Sequence, residues 1–261
     1  MDIWHAIFLG ILQGLTEFLP VSSSGHLAVA MHLLHDLPDP ETNTTFVVLV
    51  HAGTFLSLLL VFWRDLLRFL QKDWIVLTYL IVGTIPAAAI GLPFKKRLEE
   101  SFTEMLPISI CFLFTAALLW FANRKDGKED DIEHVGWERT IWIGCMQAVA
   151  LLPGISRSGS TISGGLMTGL TRSNATRFAF LLGIPAIGGA MVLKLRHLSE
   201  LSTTLGWPVI GAAFVASFLS GIVAIWAVRW LASSKKLHWF SIYLCGASAF
   251  TFAVYCNVIQ F

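Results

Sequence analysis

The chain has 261 residues, of which 55% are hydrophobic and 13% charged, with a formal net charge of +1 and a mean hydropathy of +0.70. Soluble domains carry about 25% charged residues, so this composition excludes an ordinary soluble globule and predicts a membrane protein. The charges lie between apolar segments, not in a basic tail, so nothing points to nucleic acid as a partner.

The first apolar helix is predicted over about Ile3–Leu19, broken by Pro20. It begins Met1-Asp2 without a basic n-region and runs into a polar motif where a cleavage site would stand, so it is expected to be retained. A second short segment, Leu27–Leu34, precedes a connection with Asp36 and Asp39. Neither reaches the ~20 residues a full span needs. Together they predict a re-entrant hairpin over about 3–34, whose irregular turn is tolerated at membrane depth only if it is buried in protein or faces a watery cavity. Spans are then predicted at Phe46–Trp63, Trp74–Leu92 and Leu106–Ala122, with Arg64, Arg68, Lys72, Lys95 and Lys96 at or beyond their ends. Residues 123–138 form the one extended hydrophilic stretch and read as a solvated linker. Beyond it come two short helices, Ile141–Leu152 and Thr161–Leu170, making a second hairpin over about 140–170. Thr176–Leu193, Pro208–Leu231 and His238–Ile259 complete the spans. Cys111, Cys145, Cys245 and Cys256 sit in these apolar runs without CxxC spacing and are expected to pack within helices.

The halves match residue by residue. Gly10 and Gly144, Gln13 and Gln147, and Gly25 and Gly159 are each 134 apart; Phe46 and Phe178, Arg64 and Arg196, and Ser109 and Ser241 are each 132 apart. The fold expected is therefore an all-α polytopic membrane protein, a single domain of two repeats, 1–127 and 137–261. It would have about six spans and two re-entrant hairpins, which contribute four short helices. With three spans per half, the second copy inserts upside down, and the two hairpin turns point at each other.

In that arrangement the duplicated site is asymmetric. Ser23 corresponds to Arg157, Glu17 to Leu151 and His26 to Ser160. Ionisable groups at membrane depth are costly and are functional candidates by default; a locking Glu17–Arg157 ion pair is the plainer alternative, but it leaves the surrounding hydroxyls unexplained. Ser22, Ser23, Ser24 and Gly25 precede one short helix, and Ser156, Ser158, Gly159, Ser160 and Thr161 lead into another. Helix N-termini offer free amides to an anion, and the Arg157 fork suits phosphate. The same serines and glycines would also serve as ordinary caps and turn formers. On architecture alone a secondary transporter or lipid flippase ranks first; the hydroxyl, imidazole, carboxylate and guanidinium set at one place favours an enzyme.

Gln13 and Glu17, the run Pro20–His26 (P-V-S-S-S-G-H), Pro153–Gly159 (P-G-I-S-R-S-G) and Thr161–Gly165 (T-I-S-G-G) closely resemble the bacterial undecaprenyl-diphosphate phosphatases, the bacitracin-resistance family, over essentially the whole chain. The resemblance implies a multi-pass enzyme of the bacterial cytoplasmic membrane with its site open to the outer side. Such an enzyme removes the terminal phosphate of a C55 polyprenyl diphosphate to recycle the lipid carrier of peptidoglycan and envelope glycans. Bacitracin would act on this lipid, not on the protein. The resemblance also implies a divalent cation, Mg²⁺ or Ca²⁺, shared between Glu17 and substrate oxygens. Glu17, Ser23, His26 and Arg157 take the family's catalytic positions. Gln13 stands where double-glutamate relatives carry an acid, leaving it hydrogen bonding or weak metal contact. His51 also departs from the pattern and reads equally as a cavity-facing or a structural histidine. Either Ser23 or a water would attack. A homodimer is compatible with all of this, and membrane lipids are the remaining partner.

Overall fold

The computed structural model describes residues 1–34, 40–94, 97–98, 104–125, 127–128, 131–192, 205–256 and 258. They form ten α-helices and one 3-10 helix, with no β-strand among the described residues. Asp36, Asp39, Lys95, Lys96, Leu193, Arg196 and Ile259 lie outside them.

Helix α1 spans Ile3–Phe18, and the Asp2 side chain accepts the His5 amide at its N-terminus. It stops where proline requires: Pro20 disfavours a helical conformation at Leu19, which adopts φ −57° and ψ 138° instead. Helix α2, Ser23–Leu34, starts three residues before His26, earlier than expected, because Ser22 caps it. The next three helices are α3 (Pro40–Gln71), α4 (Trp74–Gly91) and α5 (Met105–Ala122). Helix α3 continues through Arg64 and Arg68, so these arginines extend from its last turns. After the connection come α6 (Trp137–Val149), α7 (Arg157–Met167), α8 (Arg172–Val192), α9 (Trp207–Ser233) and α10 (His238–Tyr255).

Five helices are long and apolar enough to cross a membrane: Thr45–Gln71 within α3, then α4, α5, α8 and α9. The chain is accordingly an integral membrane protein. The sixth expected span, α10, falls outside this set, its apolar residues being diluted by His238, Tyr243, Tyr255 and a series of small hydroxyl residues.

Helix packing depends on small residues, because lipid tails are as apolar as leucine and give helices no hydrophobic reason to associate. Helix α1 lies against α9 so closely that a Cβ on Gly10 would come within 2.5 Å of the Ala213 carbonyl oxygen, and one on Gly14 within 2.5 Å of the Ser217 oxygen. In the same way α6 rests on α4, with Gly144 against the Gly83 carbonyl. Further packed pairs are α3 with α9, α4 with α8, α3 with α8, α5 with α10, and α7 with α5, α6 and α8.

One end of the bundle is tied by polar contacts. Arg68 at the end of α3 pairs with Glu133, Arg177 pairs with Asp65, and Arg172 donates to the Asn123 side chain at 3.0 Å and its carbonyl at 2.6 Å. The connection 123–138 is therefore not simply a solvated linker. It contains a 3-10 helix, Ile132–His134, and buries Ile132 and Val135 against the core with Phe69 and Val76. Two apolar residues in a hydrophilic run are enough to dock it.

Candidate active site

The two breaks meet inside the bundle. In the first, Pro20 ends α1 and Ser22 takes φ +71°, a conformation uncommon for a non-glycine residue. In the second, Gly154 supplies the positive φ, +92°, after Pro153. A Cβ on Gly25 would lie 3.0 Å from the Gly154 Cα and 2.7 Å from the Phe112 ring, so only glycine allows the turns to touch there. Thr115 of α5 holds the second turn, accepting the Ser156 amide at 3.1 Å and donating to the Gly154 carbonyl at 3.3 Å.

The caps are copies of each other. Ser22 Oγ accepts the Gly25 amide at 3.3 Å and lies 3.2 Å from Ser24 Oγ; Ser156 Oγ accepts the Gly159 amide at 3.0 Å and lies 3.2 Å from Ser158 Oγ. The fourth amide of each helix, His26 or Ser160, bonds back to the cap carbonyl. What each helix leaves for a ligand is its first two amides, Ser23 and Ser24 on α2, Arg157 and Ser158 on α7. Several expected phosphate-binding hydroxyls serve the turns themselves. Ser158 Oγ donates to the Leu19 carbonyl, joining the two turns, and Thr161 Oγ1 donates to the Arg157 carbonyl at 2.8 Å. Ser160 Oγ is buried without a partner among the described residues.

Glu17 is the hub. Its Oε2 accepts from Ser23 Oγ at 2.6 Å and Gln13 Nε2 at 3.0 Å; its Oε1 accepts from Arg157 Nη2 at 2.7 Å. The carboxylate is 5% exposed and the guanidinium side chain 16%, so the ion pair expected as the plainer alternative does form, with Ser23 built into it. Arg157 Nη1 is buried with no hydrogen-bond partner among the described residues, and Gln13 Oε1 is in the same state.

His26 lies apart from this cluster. Its Nδ1 is 2.7 Å from the Ser22 carbonyl and its Nε2 2.7 Å from the Tyr243 hydroxyl, with the two rings stacked 9° apart. The imidazole that reaches Glu17 is His51. Its Nδ1–H donates to the Val47 carbonyl at 2.7 Å, which directs Nε2 at Glu17 Oε2, 3.4 Å away. The repeat arithmetic held a clue to this position: Gly183 lies 132 residues beyond His51, the offset that relates Phe46 to Phe178. Gly183 is where Arg157 rests, and a Cβ there would fall 2.2 Å from Nη1. Tyr243 and Thr115 carried no comparable signal, since neither differs in type or spacing from the other scattered polar residues of its helix.

A family model described as bacitracin resistance protein BacA matches residues 6–250. The chain belongs to the BacA family. Relatives named undecaprenyl-diphosphatase include that of Carboxydothermus hydrogenoformans, 42% identical over 249 residues and 94% of both chains. The undecaprenyl-diphosphatase from Rhodopirellula baltica is 40% identical over 249 residues, again 94% of each. That from Christiangramia forsetii is 39% identical over 264 residues, 97% of this chain and 99% of the relative.

Proposed function

We propose that this BacA-family chain is an undecaprenyl-diphosphate phosphatase that recycles the polyprenyl carrier of envelope glycans and so confers bacitracin resistance. The observation that carries the mechanism is Ser23 Oγ donating to Glu17 Oε2 at 2.6 Å while Arg157 holds the other oxygen at 2.7 Å. A nucleophile, its base and a phosphate-binding cation thus converge on one carboxylate.

In this reading the terminal phosphate enters against the free Nη1 of Arg157 and the leading amides of α2 and α7. Ser23 Oγ attacks phosphorus and Glu17 takes its proton. The bond to the bridging oxygen breaks, releasing polyprenyl monophosphate, and water then hydrolyses the phosphoserine. His51 steadies the Glu17 charge, and Gln13 orients the carboxylate. Among the described residues no group of three His, Cys, Asp or Glu is placed to cage a metal. The orphaned Gln13 Oε1 and the Glu17 carboxylate do fit an oxygen-preferring ion that is otherwise held by substrate phosphates and water. A divalent cation held there by Glu17 and Gln13 would supply charge neutralisation to the diphosphate. Purified protein in detergent is predicted to release inorganic phosphate from undecaprenyl diphosphate and to trap a phosphoserine at position 23 on acid quench. Full activity in Ser23→Ala would return the attack to water.

We also read the fold as an inverted repeat with two re-entrant hairpins, α1–α2 and α6–α7, and α10 as the sixth span. The packing supports this. Exchanging α1–α5 with α6–α10 turns the pair α1 and α9 into α6 and α4, and α3 and α9 into α8 and α4, while α3 with α8 and α5 with α10 map onto themselves. Charge supports an orientation in the cytoplasmic membrane. In sequence, Arg64, Arg68, Lys72, Arg124, Lys125, Lys128, Arg139, Arg172, Arg177, Arg229, Lys235 and Lys236 belong to the end tied by the 123–138 connection, against Lys95, Lys96, Arg97, Lys194 and Arg196, which follow α4 and α8 at the other. The positive-inside rule makes the first end cytoplasmic.

A further inference from the structure

Two grooves of nearly equal size open on the flanks of α1. One, about 670 Å³, runs between α1 and α9 past Ile7, Ile11, Gly211, Val215 and Leu219. Its one polar side chain, Ser220, is already bonded to the Ala216 carbonyl at 2.6 Å. The other, about 680 Å³, lies between α1, α2, α5 and α10 and is lined by Phe8, Leu12, Val29, Phe112, Phe250 and Ala247. It differs in having a polar head: His26 and Tyr243 form part of its wall. His26 is three residues beyond Ser23 on α2, so the groove's wall includes the first turn of the helix that carries the proposed nucleophile. Its rim is open to the lipid side, with Phe8 50% and Phe250 40% exposed.

We infer that the groove between α1, α2, α5 and α10 holds the diphosphate-proximal isoprene units of the polyprenyl substrate, with Tyr243 and His26 at the point where chain gives way to headgroup. This deepens the phosphatase reading and rests on it. A headgroup bound at Ser23 and Arg157 must leave its tail by an apolar path to the bilayer, and this groove alone of the two combines such a lining with residues of the site turn. Phe8, Phe112, Tyr243 and Phe250 offer flat faces to the branched methyl groups of a polyisoprenoid. The groove between α1 and α9 is aliphatic and has no side chain from either turn.

Glycines in the two walls provide matched probes. Gly246 lines the groove beside Tyr243 and Gly211 the one beside α9, and a Cβ at either meets nothing within 4 Å, so a larger side chain would fill the groove without striking the bundle. The test uses full-length protein in detergent, with undecaprenyl and farnesyl diphosphates as substrates and a polyprenyl monophosphate carrying a benzophenone near its phosphate as a photoprobe. Gly246→Leu is expected to raise KM about ten-fold for undecaprenyl and farnesyl diphosphates alike, through lost burial of chain carbons, since the farnesyl chain consists only of diphosphate-proximal units, and to leave kcat within about two-fold. Gly211→Leu is expected to change neither. In the unsubstituted protein the photoprobe is expected to label residues 243–251, and the label should fall in Gly246→Leu. Labelling of residues 211–219 instead, or a Gly246→Leu protein that is labelled like its parent or keeps its KM for both substrates, would overturn the groove assignment. Label on residues 243–251 without any phosphate release would uphold the groove and sink the chemistry, so the two failures are distinguishable.

Discussion

The first and second turns of this protein share a capping pattern and differ in the side chains set around it. Both put a serine ahead of a short helix, both bond that serine to the third amide, and both set a second serine 3.2 Å from the cap. At the next position one copy has Ser23 and the other Arg157; where one has Glu17 the other has Leu151; where one has His51 the other has Gly183. In the proposed mechanism the common part offers two facing anion cradles. The differences would then separate nucleophile and base on one side from the phosphate clamp on the other, with Gly183 providing the space in which the Arg157 guanidinium lies. On that proposal a symmetric pair of turns would bind phosphate, and the asymmetric pair would also cleave it.

The sharpest way to break this division is Glu17→Gln, which removes the base and leaves Arg157 buried without its counter-charge. Its kcat should fall about 10²–10⁴-fold in a phosphate-release assay, the range for a positioned acid-base group, without rescue by added divalent cation. Gly183→Ala comes next. The new methyl meets only the flexible end of Arg157, so thermal stability should change little while kcat/KM falls about 10–100-fold through misplacement of the clamp. Tyr243→Phe frees His26 Nε2 and should change kcat by only about three-fold, because the two ring nitrogens of His26 bond to the Ser22 carbonyl and Tyr243 and not to the Glu17 cluster. Ser156→Ala, tested by denaturation in detergent, should cost about 1 kcal/mol, the usual value of a helix cap, and Ser22→Ala a similar amount. A much larger effect on turnover from Ser22 than from Ser156 would show that the strained φ of Ser22 matters to the reaction and not only to the turn.

Much of this comparison was readable in the sequence. Proline after an apolar run, followed by serine and glycine, marked both breaks, and constant offsets of 134 and 132 residues paired the halves, so Glu17, Ser23 and Arg157 could be brought together without coordinates. Residue spacing along one helix did not show which histidine meets Glu17. His26 is close in sequence, but its ring is turned away by the Ser22 carbonyl and Tyr243, whereas His51 comes from another helix and is aimed by a bond to its own backbone at Val47. The hydroxyls were legible as a group but not singly, since a serine that caps its own helix and one that faces the ligand are alike in sequence. The connection between the halves was misjudged because its polar residues outnumber Ile132 and Val135, and burial of those two decides where it docks.

The claim that matters most is that Arg157 reaches from the second turn to clamp a phosphate attacked from the first. Phosphate release from undecaprenyl diphosphate by purified Arg157→Lys in detergent tests it directly. Lysine keeps the charge but not the fork, so the account predicts turnover by the unsubstituted protein and a loss of about 100-fold or more in kcat/KM for the variant. A near-normal rate in Arg157→Lys would contradict it and reduce the Glu17–Arg157 pair to a structural lock.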